Sequence, residues 1–164
     1  MRIFILFISI LFYATTLCQI SKPKMVIAIV VDQMKYEYVY RFWDDFSEKG
    51  FKKLIDEGTF CRNTHYNYVP TYTGPGHASI FTGTTPAVHG IIGNSWYSRD
   101  SLSPVYCAGD WKAQTICLCQ KPHDKLNKGD GNMSPRNLLT TTLGDQLKIV
   151  DTSSKVFGVS LKDR

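Results

Sequence analysis

Residues 67–94 read Asn67-Tyr-Val-Pro-Thr-Tyr-Thr-Gly-Pro-Gly-His-Ala-Ser-Ile-Phe-Thr-Gly-Thr-Thr-Pro-Ala-Val-His-Gly-Ile-Ile-Gly-Asn94. Pro70 to Pro75 is a turn-forming run, and Gly76 to Thr82 reads as the helix it opens into. Thr73 stands directly before Gly74-Pro75-Gly76 at this turn. A hydroxyl there meets the positive end of a helix dipole and backbone N–H groups without helical partners. Both favour a bound anion or an alkoxide. The same position also suits a threonine that merely caps the helix, which is the commoner role. Pro86 and Gly90 punctuate the next connection.

Upstream, Met25 to Val31 is a continuous apolar run rich in β-branched residues, and Asp32 follows it. Such a run reads as a strand buried on both faces. A charged residue at the carboxyl end of that strand lies on the edge where open α/β sheets bind ligands. Asp45 to Glu57 reads as a helix, with Phe46, Phe51, Leu54 and Ile55 on one face and Gly58 as its cap. Thr59 to Val69 has room for a second strand. Downstream, Ser98 to Asn132 carries little periodicity and reads as a loop-rich excursion. Ser134-Pro135 is a serine N-cap with proline at the first helical position. Leu138, Leu139, Thr142, Leu143 and Leu147 keep the helical period to about Val150. Lys155 to Ser160 reads as a further short strand. This order of elements indicates an α/β fold. A buried strand as the last element of the chain predicts that the chain is the N-terminal part of a longer protein.

The chain has 164 residues, 43% hydrophobic and 20% charged, with net charge +5. This composition fits one globular domain and excludes a disordered tail, a collagen-like chain and a coiled coil. The positive residues are scattered, so nucleic acid is not the expected partner; a local anion site is. Met1 and Arg2 precede the apolar run Ile3 to Phe12, and Tyr13 to Cys18 turns smaller and more polar. Residues 1–18 therefore read as a secretory signal peptide, cleaved before Gln19, with residues 19–164 as the folded portion. Leu17 argues against lipidation of Cys18. The run is shorter than the roughly 20 apolar residues of a membrane anchor. The expected location is periplasmic or secreted. Export permits disulfides, and Cys61 could pair with Cys107, Cys117 or Cys119; sequence leaves the choice open. Cys117 and Cys119 are a poor mutual pair.

The stretch from Met25 through Asn94 resembles the alkaline phosphatase superfamily. The similarity is greatest to the branch holding nucleotide pyrophosphatase/phosphodiesterases and threonine-dependent bacterial alkaline phosphatases. The strand ending in Asp32, the Pro70-Thr-Tyr-Thr-Gly-Pro-Gly-His77 block and the Thr82-Gly-x-x-Pro-x-x-His-Gly-Ile-Ile-Gly-Asn94 block carry it. Ser134-Pro-Arg-Asn-Leu-Leu, Leu143-Gly-Asp and Gly158-Val-Ser-Leu-Lys-Asp-Arg164 extend it to the last residue. The resemblance implies an alkaline-phosphatase-like three-layer α/β/α sandwich, of which this chain is the N-terminal portion.

It also implies roles. Thr73 is the expected nucleophile and Asp32 a ligand of the zinc that activates it, with Thr73 itself bound to that metal. Asn94 is the amide expected to donate to a phosphoryl oxygen. Lys162 and Arg164 match the phosphate-contacting pair of the monoesterase branch. Two cations suit a monoester dianion better than a diester, because its non-bridging oxygens carry more charge. Zinc would make the threonine alkoxide accessible, and a second zinc would stabilise the leaving oxygen. His77 and His89 are not ligands in the family and read as structural hydrogen-bonders; His65 and His123 have no partner pattern. A two-zinc site takes about seven or eight ligands. Those beyond Asp32 and Thr73 lie, in the family, downstream of Arg164. The expectation is a chain inactive by itself, cut from a phosphate monoester hydrolase. The alternatives are a phosphodiesterase or nucleotide pyrophosphatase of the same superfamily, or a non-catalytic exported phosphate-binding module. Oligomeric state is not legible.

Overall fold

The computed structural model describes residues 23–114 and 131–164. The signal segment over residues 1–18, and Cys117, Cys119 and His123, lie outside the described residues. The chain divides into two compact units, residues 1–32 and 33–164.

In the first unit Met25 to Val31 carries no strand assignment, and its side chains except half-buried Val30 are exposed, Ile29 at 79%. The expected buried strand is therefore not formed. A strand exists through its ladder partners, and the ladder pairing among the described residues lies elsewhere in the chain. Asp32 ends this segment.

The second unit opens with α1 (Tyr38–Arg41), a 3-10 turn (Trp43–Asp45) and α2 (Phe51–Glu57). The helix expected over Asp45 to Glu57 is thus shortened to Phe51–Glu57. Gly50 adopts φ +75°, a conformation other residues avoid, and the chain turns there before α2 begins. Phe46 and Phe51 pack with ring centroids 5.0 Å apart, but Leu54 stays 66% exposed. Thr59 to Val69 forms no strand; it ends at a cis Val69–Pro70 bond.

Helix α3 (Thr73–Thr82) begins three residues earlier than the sequence predicts. It ends at Gly83 in the left-handed region. Helix α4 (Pro86–His89) has proline at its first position and left-handed Gly90 (φ 79°) after it. Next comes a hairpin, whose second strand falls within the stretch expected to be loop-rich. Strands β1 (Ser95–Ser98) and β2 (Ser103–Tyr106) pair antiparallel, Ser95 opposite Tyr106 and Ser98 opposite Ser103.

The polypeptide on either side of residues 115–130 is held together. Gly109 bridges to Met133, and Ser134 N–H donates to Ala108 O at 2.9 Å. Asp110 accepts from Ser134 Oγ at 2.6 Å and Arg136 Nη1 at 3.1 Å. The Ser134 bond, first among several, holds the Asp110 carboxyl below the usual carboxylate range.

Ser134 caps as its sequence predicts, accepting from Arg136 N–H at 3.2 Å, but the element is only a 3-10 turn (Pro135–Asn137). Tertiary bonds interrupt the expected long helix. Asn137 Nδ2 donates to the carbonyls of Tyr106 and Cys107, each at 3.1 Å, and Leu139 N–H donates to His89 O at 3.0 Å. Helix α5 (Leu143–Val150) starts afresh with a capping box. Thr142 Oγ1 accepts from Asp145 N–H at 3.2 Å, and Asp145 Oδ2 accepts from Thr142 N–H at 2.7 Å. Lys155 to Ser160 is not assigned as a strand either; Val159 is fully exposed. Among the described residues no helix is long and apolar enough to cross a membrane.

Candidate active site

The first turn of α3 carries the threonine singled out in the sequence. The helix starts at Thr73, and extended Tyr72 takes the N-cap position with no side-chain capping bond. Thr73 is thus the first helical residue rather than the cap. Few donors remain at this terminus. Gly74 N–H donates to Asn94 Oδ1 at 2.8 Å, Pro75 has no N–H, and Gly76 N–H donates to Tyr72 O at 2.9 Å. The unpaired amides expected around Thr73 therefore reduce to its own N–H, which has no hydrogen-bond partner among the described residues.

Asn94 lies one residue before β1, on the far side of α3, α4 and the Gly90–Gly93 link. Its carbonyl oxygen is spent on Gly74, so its amide NH2 is the end left to meet a ligand. The approach is close at position 74, so any added side chain would push its neighbours by a few tenths of an ångström. A Cβ there would come within 3.2 Å of both Asn94 Oδ1 and Cys107 Sγ, and within 3.3 Å of Gly93 O. Cys107 is buried, and burial pushes its thiol up from the usual range. Neither Cys61 nor Cys107 forms a disulfide.

Beneath this turn lies a polar relay. His89 is wholly buried. Its Nδ1 accepts from Ile91 N–H at 3.1 Å, which assigns the ring proton to Nε2. Nε2–H then donates to Ser79 Oγ at 3.0 Å. Ser79 and Tyr68 hydroxyls lie 2.7 Å apart, and Tyr68 donates to Pro75 O at 3.1 Å. Every bond in the relay is satisfied when His89 is neutral, and burial lowers its pKa from the ordinary 6.5. His77 Nδ1 lies 2.9 Å from Thr73 O and donates to it. Both histidines are therefore engaged in shaping α3.

A cavity of about 360 Å³ opens beside the turn, with Gly74, His77, Cys107, Leu138, Asp163 and Arg164 in its lining. Arg164 reaches it from the end of the chain. Arg164 Nη1 donates to the Tyr106 hydroxyl, which donates in turn to Asp163 Oδ1 at 2.9 Å. Lys162 does not line the cavity; its N–H donates to Ser160 Oγ at 3.1 Å in an exposed turn. The structure thus brings Thr73, Asn94 and Arg164 into one unit, while Asp32 belongs to the other. Among the described residues no three His, Cys, Asp or Glu side chains gather as a metal site. Asp32 in the first unit and Thr73 in the second are two candidate ligands, short of the four groups zinc prefers. The described donor set does not by itself fit a metal centre.

Sequence reasoning missed Tyr106, which belongs to no quoted motif, and gave no role to Asp163, although it stands between Lys162 and Arg164 in the Lys-Asp-Arg block. Ser103-Pro-Val-Tyr106 carries no alternation that would mark a strand, and nothing in the sequence sets Tyr106 beside a residue 58 positions later.

A family model described as type I phosphodiesterase / nucleotide pyrophosphatase matches residues 26–148. Curated relatives include alkaline phosphatase PafA of Elizabethkingia meningoseptica, 44% identical over 146 residues, 88% of this chain and 26% of the relative. A Myroides odoratus protein named calcium-transporting ATPase is 43% identical over 147 residues, 89% of this chain and 25% of its own. Alkaline phosphatase PhoV of Synechococcus elongatus is 42% identical over 146 residues, covering 88% and 25%. The chain spans about a quarter of the length of these relatives. Among solved structures, wild-type PafA matches with TM-score 0.79 and 42% identity, over 88% of this chain and 26% of that one. A PafA variant with one threonine, one asparagine, one lysine and one arginine replaced matches with TM-score 0.79 and 41% identity, over 88% and 27%. Over the portion it spans, the chain has the alkaline-phosphatase-like fold expected from its motifs.

Proposed function

The chain belongs to the type I phosphodiesterase / nucleotide pyrophosphatase family, and from that footing we propose that it supplies the nucleophile-bearing part of an exported phosphate monoester hydrolase. The observation that carries this reading is the Gly74 N–H bond to Asn94 Oδ1. It sets an amide donor beside the first turn of the helix that begins at Thr73. The names of the PafA and PhoV relatives support the monoester class. The four residue types replaced in the PafA variant are those of Thr73, Asn94, Lys162 and Arg164.

In the proposed reaction Thr73 Oγ forms a bond to phosphorus as the ester P–O bond breaks and the alcohol departs. Water then cleaves the phosphothreonine, releasing phosphate and restoring the hydroxyl. Asn94 donates its NH2 to a phosphoryl oxygen, and Lys162 and Arg164 meet the dianion's remaining charge. Zinc belongs to this reading, two ions per complete site, and would make the Thr73 hydroxyl an accessible nucleophile. This chain would contribute Asp32 and Thr73 as ligands, and polypeptide beyond Arg164 would contribute the rest. Residues 1–18 would direct export to the periplasm or the medium.

The test is zinc-supplied hydrolysis of p-nitrophenyl phosphate and bis-p-nitrophenyl phosphate by the longest product that the coding DNA specifies through Arg164. Monoester turnover should exceed diester turnover, and Thr73→Ala should abolish it. Lys162→Ala with Arg164→Ala should lower the monoester rate far more than the diester rate. Turnover indifferent to Thr73→Ala would refute the proposal. The 164-residue chain alone should show no Thr73-dependent turnover.

A further inference from the structure

Arg164 is a long side chain on a segment with little burial around it, since Val159 and Leu161 are fully exposed. An arginine so placed has many rotamers, and a phosphate-binding role requires one of them to be selected. The structure contains a device that selects it. Tyr106 closes β2, and its carbonyl accepts from Gly109 N–H at 3.0 Å and Asn137 Nδ2 at 3.1 Å. Its backbone is therefore anchored by the hairpin, the following turn and the Pro135–Asn137 segment together. From this base the ring presents both its face and its hydroxyl to Arg164. The guanidinium carbon stands 5.5 Å from the ring centroid, a cation–π distance.

The hydroxyl works in two directions. Its proton goes to Asp163 Oδ1 at 2.9 Å, so its lone pairs face outward and accept from Arg164 Nη1. The carboxylate itself is 3.6 Å from Nη1. Asp163 thus fixes the hydroxyl's direction, and the hydroxyl fixes the guanidinium. The arrangement does not exhaust Arg164. Its Nε is buried and has no hydrogen-bond partner among the described residues. A donor in that state is costly to leave unmet and is satisfied by an incoming acceptor. Burial raises the Tyr106 phenol above its ordinary range, so the hydroxyl keeps its proton.

We infer that Tyr106 is a positioning residue that holds the Arg164 guanidinium for a phosphoryl oxygen of a monoester dianion. The inference rests on the proposed reading of Arg164 as a phosphate contact. Tyr106 touches Arg164 rather than substrate, and Asp163 orients Tyr106.

The test compares Tyr106→Phe, Arg164→Ala and the double variant in the longest product, on p-nitrophenyl phosphate and bis-p-nitrophenyl phosphate. Phenylalanine keeps the ring, so packing and the cation–π contact survive and only the hydroxyl is lost. Monoester kcat/KM should fall about tenfold in Tyr106→Phe, with a much smaller fall on the diester, and the double variant should match Arg164→Ala. A selective loss in Arg164→Ala with none in Tyr106→Phe, or losses that multiply, would sink this inference alone. No selective loss in Arg164→Ala would sink both it and the reading beneath it. A second readout needs no turnover. In NMR of the arginine side chains of the 164-residue chain, Tyr106→Phe should shift the Arg164 Nε–H signal and speed its exchange with water. An unchanged signal would overturn the inference directly.

Discussion

Asn94 Oδ1 and Gly74 N–H are 2.8 Å apart, although 20 positions separate them in the chain. The bond fixes which way the Asn94 amide faces. A backbone N–H needs an acceptor, so the carbonyl end turns inward and the NH2 end is left for a ligand. One hydrogen bond therefore closes the turn around Thr73 and aims a donor.

Substitution separates these two duties. Asn94→Asp keeps an acceptor for Gly74 but replaces the NH2 donor with a second oxygen. The fold should be retained, while a carboxylate facing a phosphoryl dianion should cost about a hundredfold or more in monoester kcat/KM. Asn94→Ala loses the acceptor too, and its melting temperature should drop where that of Asn94→Asp does not. Equal turnover in Asn94→Asp and the parent would remove Asn94 from the site.

Gly74→Ala probes the same contact from the other side. The added Cβ would press on Asn94 Oδ1 and Cys107 Sγ at 3.2 Å and on Gly93 O at 3.3 Å. The neighbours must give by a few tenths of an ångström, and the most adaptable is the Asn94 side chain. Misplacing a binding group by a fraction of an ångström should lower turnover by about one to two orders of magnitude, with secondary structure intact by circular dichroism. Gly74→Ala with parental turnover would show that Asn94 need not sit where it does.

His89 makes a pH prediction. Burial lowers its pKa below the ordinary 6.5, and a proton on Nδ1 would break the bond from Ile91 N–H. The unfolded chain binds the proton near pH 6.5 and the folded chain only at lower pH. Between those values the unfolded state holds more protons, so stability falls as pH falls. The His89 share is fully present above about pH 6.5 and declines below it, by at most about 1.4 kcal/mol per pH unit. An NMR titration of the His89 ring should give a midpoint below 6.5; a midpoint at or above it would contradict the assigned relay.

The parts of this fold legible in the sequence are those set by local rules. Ser134 as a cap follows from the chemistry of a single residue and is seen, and Pro86 and Gly90 do break the chain, although the short helix they bracket was read only as a connection. The Thr73-Gly-Pro-Gly turn was legible as a helix opening, though the helix takes in Thr73 itself. What failed depended on partners distant in sequence. Met25 to Val31 and Lys155 to Ser160 have strand composition but lack ladder pairing among the described residues. Leu138 has the right period for a helix, yet it is extended, between Asn137 bound to Tyr106 and Cys107 and Leu139 bound to His89. Thr73 and Asn94 stand at two points of one motif, and the contact between Gly74 and Asn94 is seen. The Tyr106 link to Arg164 was not legible, because no periodicity relates a strand end to a segment so far along the chain.

The central claim is that Thr73 carries the phosphoryl group during turnover. The direct measurement is acid quenching of the longest product during steady-state hydrolysis of p-nitrophenyl phosphate, followed by peptide mass spectrometry. A phosphate on Thr73, absent from Thr73→Ala and from samples without substrate, is the result predicted. Turnover with Thr73 unmodified, or with phosphate on another residue, would contradict it.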